Sequence, residues 1–230
     1  METSGRKLRT HFMKPLLLLF LGAAPAFSQL FSYGVKGGVP LTDFVNAASG
    51  TNAAGFIDFA THTNRYIIGA TGELHLPFGL SVEADVLYRH LNYQESAMGV
   101  DTLTSSRTSG NAWEFPILGK YRFMRTKLFH PYVDAGVSFD TLQGLSQTVT
   151  NTLFAGNNST TTTSSGSPSQ LKNSTTRGFV FGGGLDIKFL VVHIQPEIRY
   201  TRWGAEHFFD PSGLLHSNEN QGEFLLGVTF

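Results

Sequence analysis

The sequence predicts an all-β protein: a closed, eight-stranded antiparallel transmembrane β-barrel with short periplasmic turns and long extracellular loops. Three observations predict it. Stretches of about 9 to 14 residues with period-two alternation recur along the chain. The connections between them alternate between very short and long. Within each stretch the charges share one face and the apolar side chains the other.

The eight stretches are residues Phe31–Asp43, Arg65–Leu76, Gly79–Tyr93, Asn111–Arg125, Phe129–Leu142, Arg177–Phe189, Val191–Trp203 and Gln221–Phe230. The first carries Lys36 and the second Glu73 on the charged face. In the third, LSVEADVLYRH sets Leu80, Val82, Ala84, Val86 and Tyr88 against Ser81, Glu83, Asp85 and Arg89. In the fourth, WEFPILGKYRF sets Trp113, Phe115, Ile117, Tyr121 and Phe123 against Glu114, Lys120 and Arg122. The fifth and sixth place Asp134 and Asp140, then Asp186 and Lys188, opposite apolar partners. The seventh, VVHIQPEIRYTRW, opposes Val192, Ile194, Ile198 and Tyr200 to His193, Gln195, Glu197, Arg199 and Thr201. The eighth, GEFLLGVTF, aligns Phe224, Leu226, Val228 and Phe230 on one side, with Glu223 and Thr229 on the other.

Hairpin turns join the second and third stretches at Pro77-Phe78, the fourth and fifth at Thr126-Lys127-Leu128, and the sixth and seventh around Leu190. The other connections, Phe44–Asn64, Gln94–Gly110, Gln143–Thr176 and Gly204–Asn220, are long and polar. An even strand count with this asymmetry is the layout of an outer-membrane barrel, and it puts both termini at the periplasmic end.

Alternation alone does not decide which face is inside. A small soluble barrel fills its interior with apolar side chains, whereas a membrane barrel turns them outward. Two features favour the membrane. Aromatics gather near strand ends, at Tyr66, Phe78, Tyr93, Trp113, Phe123, Phe129, Phe189 and Trp203, as interfacial girdles do. The charged face carries both signs, so its members can pair across a narrow lumen. The inward set comprises Glu73, Glu83, Asp85, Glu114, Asp134, Asp186, Glu197 and Glu223 with Lys36, Arg89, Lys120, Arg122, Lys188 and Arg199. Eight strands leave an interior that side chains can fill, which argues against a general porin. Closure is required because lipid offers no partner to an open sheet edge.

Composition agrees. Of 230 residues only 15% are charged, against about 25% in an ordinary soluble domain, while 13% are aromatic. With 17 basic and 17 acidic side chains there is no basic surplus to suggest nucleic acid. The absence of cysteine excludes disulfides, thiol catalysis and Cys-based zinc sites. At the N-terminus, Arg6, Lys7, Arg9 and Lys14 precede the apolar run Leu16–Leu21 and then small residues, the outline of a cleaved secretory signal over residues 1–28. Cleavage before Gln29 or after Ala26 both fit, and Met13 is an alternative start. The run is far shorter than the ~20 residues of a spanning helix, which counts against a retained anchor. Residues 29–230 form the barrel domain.

GVKGGVPLTDF, WEFPILGKYRF, PYVDAGV and the terminal GEFLLGVTF, in that order, resemble the outer-membrane β-barrel domain family that includes PorT-like proteins, related to OmpA/OmpX-type eight-stranded barrels. The resemblance spans essentially the whole mature chain. It implies location in the outer membrane of a Gram-negative cell and contact with its lipid. It also implies insertion by the barrel-assembly machinery, which reads a C-terminal strand ending in an aromatic, here Phe224, Leu226, Val228 and Phe230. It implies no particular molecular activity.

No motif demands chemistry. Gly182-Gly183-Gly184 lacks the Lys-Ser/Thr and the helix of a phosphate loop and reads as a strand glycine run. His207 and His216 share a connection with Glu206 and Asp210 but lack metal-ligand spacing. Some eight-stranded outer-membrane barrels deacylate lipid A with a His and a Ser two apart on one strand and a nearby Glu, and no H-x-S occurs here. The inward charges, Glu73, Glu83, Asp85, Arg89, Glu114, Lys120, Arg122, Asp134, Asp186, Lys188, Glu197 and Arg199, read as a structural salt-bridge network rather than acid/base pairs, because buried charges need partners. Connection 143–176, rich in Ser and Thr, is expected to be a hydrophilic loop mobile at its tip, and with 94–110 is the candidate contact for an extracellular ligand. Phe208-Phe209 and Leu214-Leu215 are expected to pack on the barrel mouth. A non-enzymatic surface barrel without cofactor or metal is therefore the leading expectation. A lipid-modifying enzyme and a soluble exported barrel that binds an apolar ligand are the alternatives.

Overall fold

The computed structural model describes residues 30–47, 49–52, 55–61, 66–123, 128–156, 158–168, 170–209 and 215–230. The predicted signal peptide, the Thr126-Lys127 turn, Asp210 and Leu214 lie outside them. The strands are β1 (Phe31–Pro40), β2 (Val45–Ala47), β3 (Ser49–Asn52), β4 (Gly55–Thr61), β5 (Ile67–His75), β6 (Leu80–Met98), β7 (Thr102–Arg122), β8 (Phe129–Ala155), β9 (Asn158–Gly166), β10 (Thr175–Phe189), β11 (Val192–Trp203), β12 (Leu215–Ser217) and β13 (Asn220–Thr229).

Eight of these form a ring, each antiparallel to its neighbours, in the order β1, β5, β6, β7, β8, β10, β11, β13 and back to β1. The seam runs from Gly34 opposite Thr229 to Pro40 opposite Glu223. Phe230 extends it, its N–H donating to the Tyr33 carbonyl at 2.9 Å. The last strand therefore leaves no open edge. Gly34 faces the Val228 carbonyl so closely that a side chain there would collide with it, so this seam is drawn tight at a residue without Cβ.

Burial settles the direction of the alternation. Phe179, Phe181 and Ile198 are 65%, 58% and 62% exposed on the outside, while Lys36 and Arg199 are 0% exposed on the inside. A soluble barrel would reverse those values. The short-turn end matches expectation: Pro77–Gly79 joins β5 to β6, and Leu190 joins β10 to β11. Phe78 (φ 65°) and Leu190 (φ 57°) are left-handed, the backbone that lets a two-residue turn follow the twist of its strands.

The long-strand end differs from the expected loops. Residues 94–110 are not a loop, since β6 continues to Met98 and β7 begins at Thr102. Most of the described residues of 143–176 are not an irregular loop either. β8 runs on to Ala155, turns at Gly156 (φ 62°) and returns as β9. With β4 paired to β6 and β3 to β4, a sheet in the order β3, β4, β6, β7, β8, β9 rises beyond the ring. The buried positions of these extensions are themselves polar, as at Ser106, Thr108 and Gln147, and β9 is exposed throughout, so neither shows the apolar alternation that periodicity detects. Their Thr content still favours the extended backbone, and facing hydroxyls pair across strands, as Thr152 and Thr161 do at 3.2 Å.

Candidate functional site

The lumen is filled, and its charges form three nodes. Nearest the long-strand end, Arg89 Nη1 donates to Glu223 at 3.3 Å, and its Nη2 to Glu114 at 3.3 Å and to Gln221 at 3.0 Å. Asp140 lies 3.8 Å from the same guanidinium.

In the middle node Lys36 Nζ donates to Glu83 at 2.5 Å, Asp85 at 3.1 Å and Glu197 at 3.2 Å. Arg199 meets the same three carboxylates, at 2.7 Å to Glu197, 3.0 Å to Asp85 and 3.3 Å to Glu83. Lys120 is also bonded to Glu83, and its Nζ stands 4.2 Å from the centre of the Tyr132 ring. The Tyr132 hydroxyl donates to Glu197 at 3.2 Å. Three cations thus face three carboxylates here, an arrangement that satisfies groups which alone could not leave water.

Toward the short-turn end, Arg122 holds Glu73 with both terminal nitrogens, at 2.5 and 2.9 Å, and Asp186 through Nε at 3.0 Å. His193 Nδ1 lies 2.7 Å from Asp186, and Ser32 Oγ lies 3.1 Å from His75 Nε2.

The strand pattern positions these groups because odd residues of β5 and β6, and even residues of β7 and β8, point inward. Of the expected set, Glu73, Glu83, Asp85, Arg89, Glu114, Lys120, Arg122, Asp186, Glu197 and Arg199 are joined in the nodes. Asp134 is buried in the lumen with neither carboxylate oxygen hydrogen-bonded. Lys188 is a correction: it is exposed at the short-turn mouth, lining a hollow of about 270 Å³ with His75, Arg122, His130, Asp186 and His193. It stands one residue from the end of β10, where a lysine stem reaches water and leaves the network. Phe224, Leu226, Val228 and Phe230 share the outer face of β13.

Sequence reasoning missed Tyr132, although it shares the parity of Asp134. The glycine run explains its place, since a Cβ on Gly184 would stand 2.7 Å from the Tyr132 hydroxyl. Bulk on β8 fills the space that β10 leaves empty.

Over the charges sits an apolar cap at the long-strand mouth. Phe44, Val45, Phe59, Leu91, Tyr93, Ala112, Leu142, Phe208 and Leu215 form one buried cluster. The β2–β12 pair ties the two contributing connections together, Val45 opposite Ser217. Phe208 and Leu215 pack as expected, whereas Phe209 is exposed. His207 is absorbed into the same cap, with Nδ1 2.7 Å from the Asn173 carbonyl and Nε2 3.4 Å from Asp140. Among the described residues no group of His, Asp or Glu is placed to hold a metal.

A ring of eight strands with a charged interior and an apolar exterior now has its counterpart among known sequences. Residues 27–210 match the model of the outer membrane protein beta-barrel domain. The chain belongs to that family. Family membership places it in the outer membrane and sets aside the soluble apolar-ligand barrel. No curated protein matches the chain. Among solved structures, the family member is similar to OprG from Pseudomonas aeruginosa, with 14% identity, a TM-score of 0.44 and coverage of 87% of this chain and 93% of that one. It is also similar to Neisserial surface protein A, with 11% identity, a TM-score of 0.42 and coverage of 87% and 95%. Ail of Yersinia pestis gives 8% identity, a TM-score of 0.34 and coverage of 86% and 98%.

Proposed function

We propose that this outer-membrane barrel is non-enzymatic and acts through the sheet it holds above the bilayer, not through its pore. The observation that carries the reading is a lumen blocked along its length, by three ion-pair nodes and an apolar cap, below strands that continue outward as a paired sheet.

In this reading the long-strand end is extracellular, and both ends of the ring, at Phe31 and Phe230, are periplasmic. The sheet offers a partner a flat hydroxyl-rich face: Ser49, Asp58, Ser96, Ser105, Thr150 and Thr163 fall in one cross-strand row. Segments 94–110 and 143–176 then form the ligand surface, presented mainly as paired strands. During insertion, the outward Phe224, Leu226, Val228 and Phe230 present β13 to the assembly machinery, which captures it by strand addition.

An epitope tag inserted at Gly156 of the full chain is expected to bind antibody on intact cells. The purified protein is expected to give no steady openings in planar bilayers, and lipid A acylation should be the same with and without it. A tag reached only after permeabilisation, steady large conductance, or an altered acylation profile would each overturn the corresponding part of the reading.

A further inference from the structure

Two arginines stand on the outer wall of the ring near its long-strand end, on adjacent strands: Arg177 of β10 and Arg202 of β11. Their circumstances differ. Arg202 is met by the protein: Glu219 lies 2.9 Å from its Nη2, and the Asn220 side-chain oxygen accepts from Nη1 at 2.8 Å. The guanidinium of Arg177 has no hydrogen-bond or ion-pair partner among the described residues.

Arg177 nevertheless stands in an apolar row. It is in register with Phe139, which is in register with Phe115, and the next outward pair below is Phe179 with Val137. All four apolar residues are exposed on the outside. A hollow of about 910 Å³ opens at this point, with Val137, Phe139 and Phe179 as its floor and Asn173, Thr175, Arg177, Gly204 and Ala205 at its rim. Its upper ledge is built in. The Asn173 amide donates to the Glu206 carbonyl at 2.8 Å, and the Lys172 N–H donates to the His207 carbonyl at 2.8 Å, so the segment before β10 is fixed over the hollow. Gly204, whose N–H donates to the Arg177 carbonyl at 2.9 Å, presents no side chain to fill it.

A permanent cation on a lipid-facing wall is destabilising unless an anion meets it, and no carboxylate among the described residues meets Arg177. A guanidinium fork matches a phosphate in two parallel hydrogen bonds. We infer that the hollow around Arg177 is a binding site for a phosphate-bearing lipid, its phosphate on the guanidinium and an acyl chain along Phe139, Val137 and Phe179. The apolar floor selects a lipid over a free anion. The inference rests on the reading of the long-strand end as the outer side of the bilayer only for which leaflet supplies the lipid.

The test uses the full chain in detergent. Wild type, Arg177→Gln, Arg202→Gln and Val137→Ser proteins are offered phosphatidic acid or the diacylglycerol with the same chains, and retention is read by native mass spectrometry. Heat-modifiable gel mobility confirms that each variant is folded. Wild type should retain phosphatidic acid and not diacylglycerol. Arg177→Gln should lower retention about tenfold, the loss of a charge-assisted contact, and Arg202→Gln should leave it unchanged. Val137→Ser should lower it with the charge intact, and inorganic phosphate should not compete. Equal retention by wild type and Arg177→Gln, an equal fall in Arg202→Gln, or displacement by inorganic phosphate would overturn the site. Because retention is read in detergent, a tag at Gly156 that proves periplasmic would refute the orientation while leaving a positive retention result in support of the site.

Discussion

Replacing Arg199 by methionine removes one of the two cations that each meet three carboxylates in the middle of the lumen. The side chain is 0% exposed and bonds Glu197, Asp85 and Glu83 at 2.7, 3.0 and 3.3 Å. Methionine keeps much of the bulk but none of the donors, so three buried carboxylates remain on two cations, Lys36 and Lys120. Each charge-assisted bond is worth about 1.5 to 3 kcal/mol. Bonds that share acceptors do not add, and removing one member of a buried network costs about 3 to 5 kcal/mol. The expected loss of stability is therefore about 4 kcal/mol. Urea unfolding of the detergent-folded barrel, followed by the fluorescence of Trp113 and Trp203, measures it. The cause can be separated from lost packing: adding Glu197→Gln to Arg199→Met removes the surplus negative charge and should recover more than about 1 kcal/mol, a coupling expected only of groups in one network. A loss below about 1 kcal/mol, or a double variant no more stable than the single one, would refute the network as the support of the ring.

Phe230→Ala should lower the amount of barrel found in the outer-membrane fraction more than it lowers the urea midpoint of protein already folded, because the phenyl ring lies outside the ring and serves insertion; equal effects on both would remove the signal role. Replacing residues 151–162 with Asn-Gly should close the β8–β9 ribbon as a two-residue hairpin between Thr150 and Thr163, which already face each other. The ring's stability should then change by less than about 0.5 kcal/mol, measured by the same urea titration.

The ring strands were legible because their signal is local. A residue such as Glu83 declares its side of the sheet through Val82 and Ala84 alone, with no knowledge of its partner. The same parity placed Glu223 inward and Phe224 outward, and so disclosed β13 as the closing strand. Lys188 shows where parity stops: it has the inward register, but at the strand's end the long side chain has water within reach and leaves the network. The ribbon of β8 and β9 was illegible for the opposite reason. Its Thr and Ser residues carry no apolar alternation, and only the cross-strand pairing reveals strands where a loop is expected.

By itself the sequence determined which residues face lipid and which face the lumen, that the chain closes on itself, and that opposite charges are buried together, since each follows from a two-residue period and from the cost of an unpaired backbone edge in lipid. Which charges meet was decided only by the tertiary structure. Lys36 finds Glu197 161 residues away, Phe44 stacks on His207 and Tyr93 meets Phe208 in the cap, Tyr132 enters the gap left by Gly184, and Arg177 is left without an anion among the described residues. Those outcomes depend on ring closure and strand register, which bring distant segments to the same height in the barrel and which no local pattern encodes.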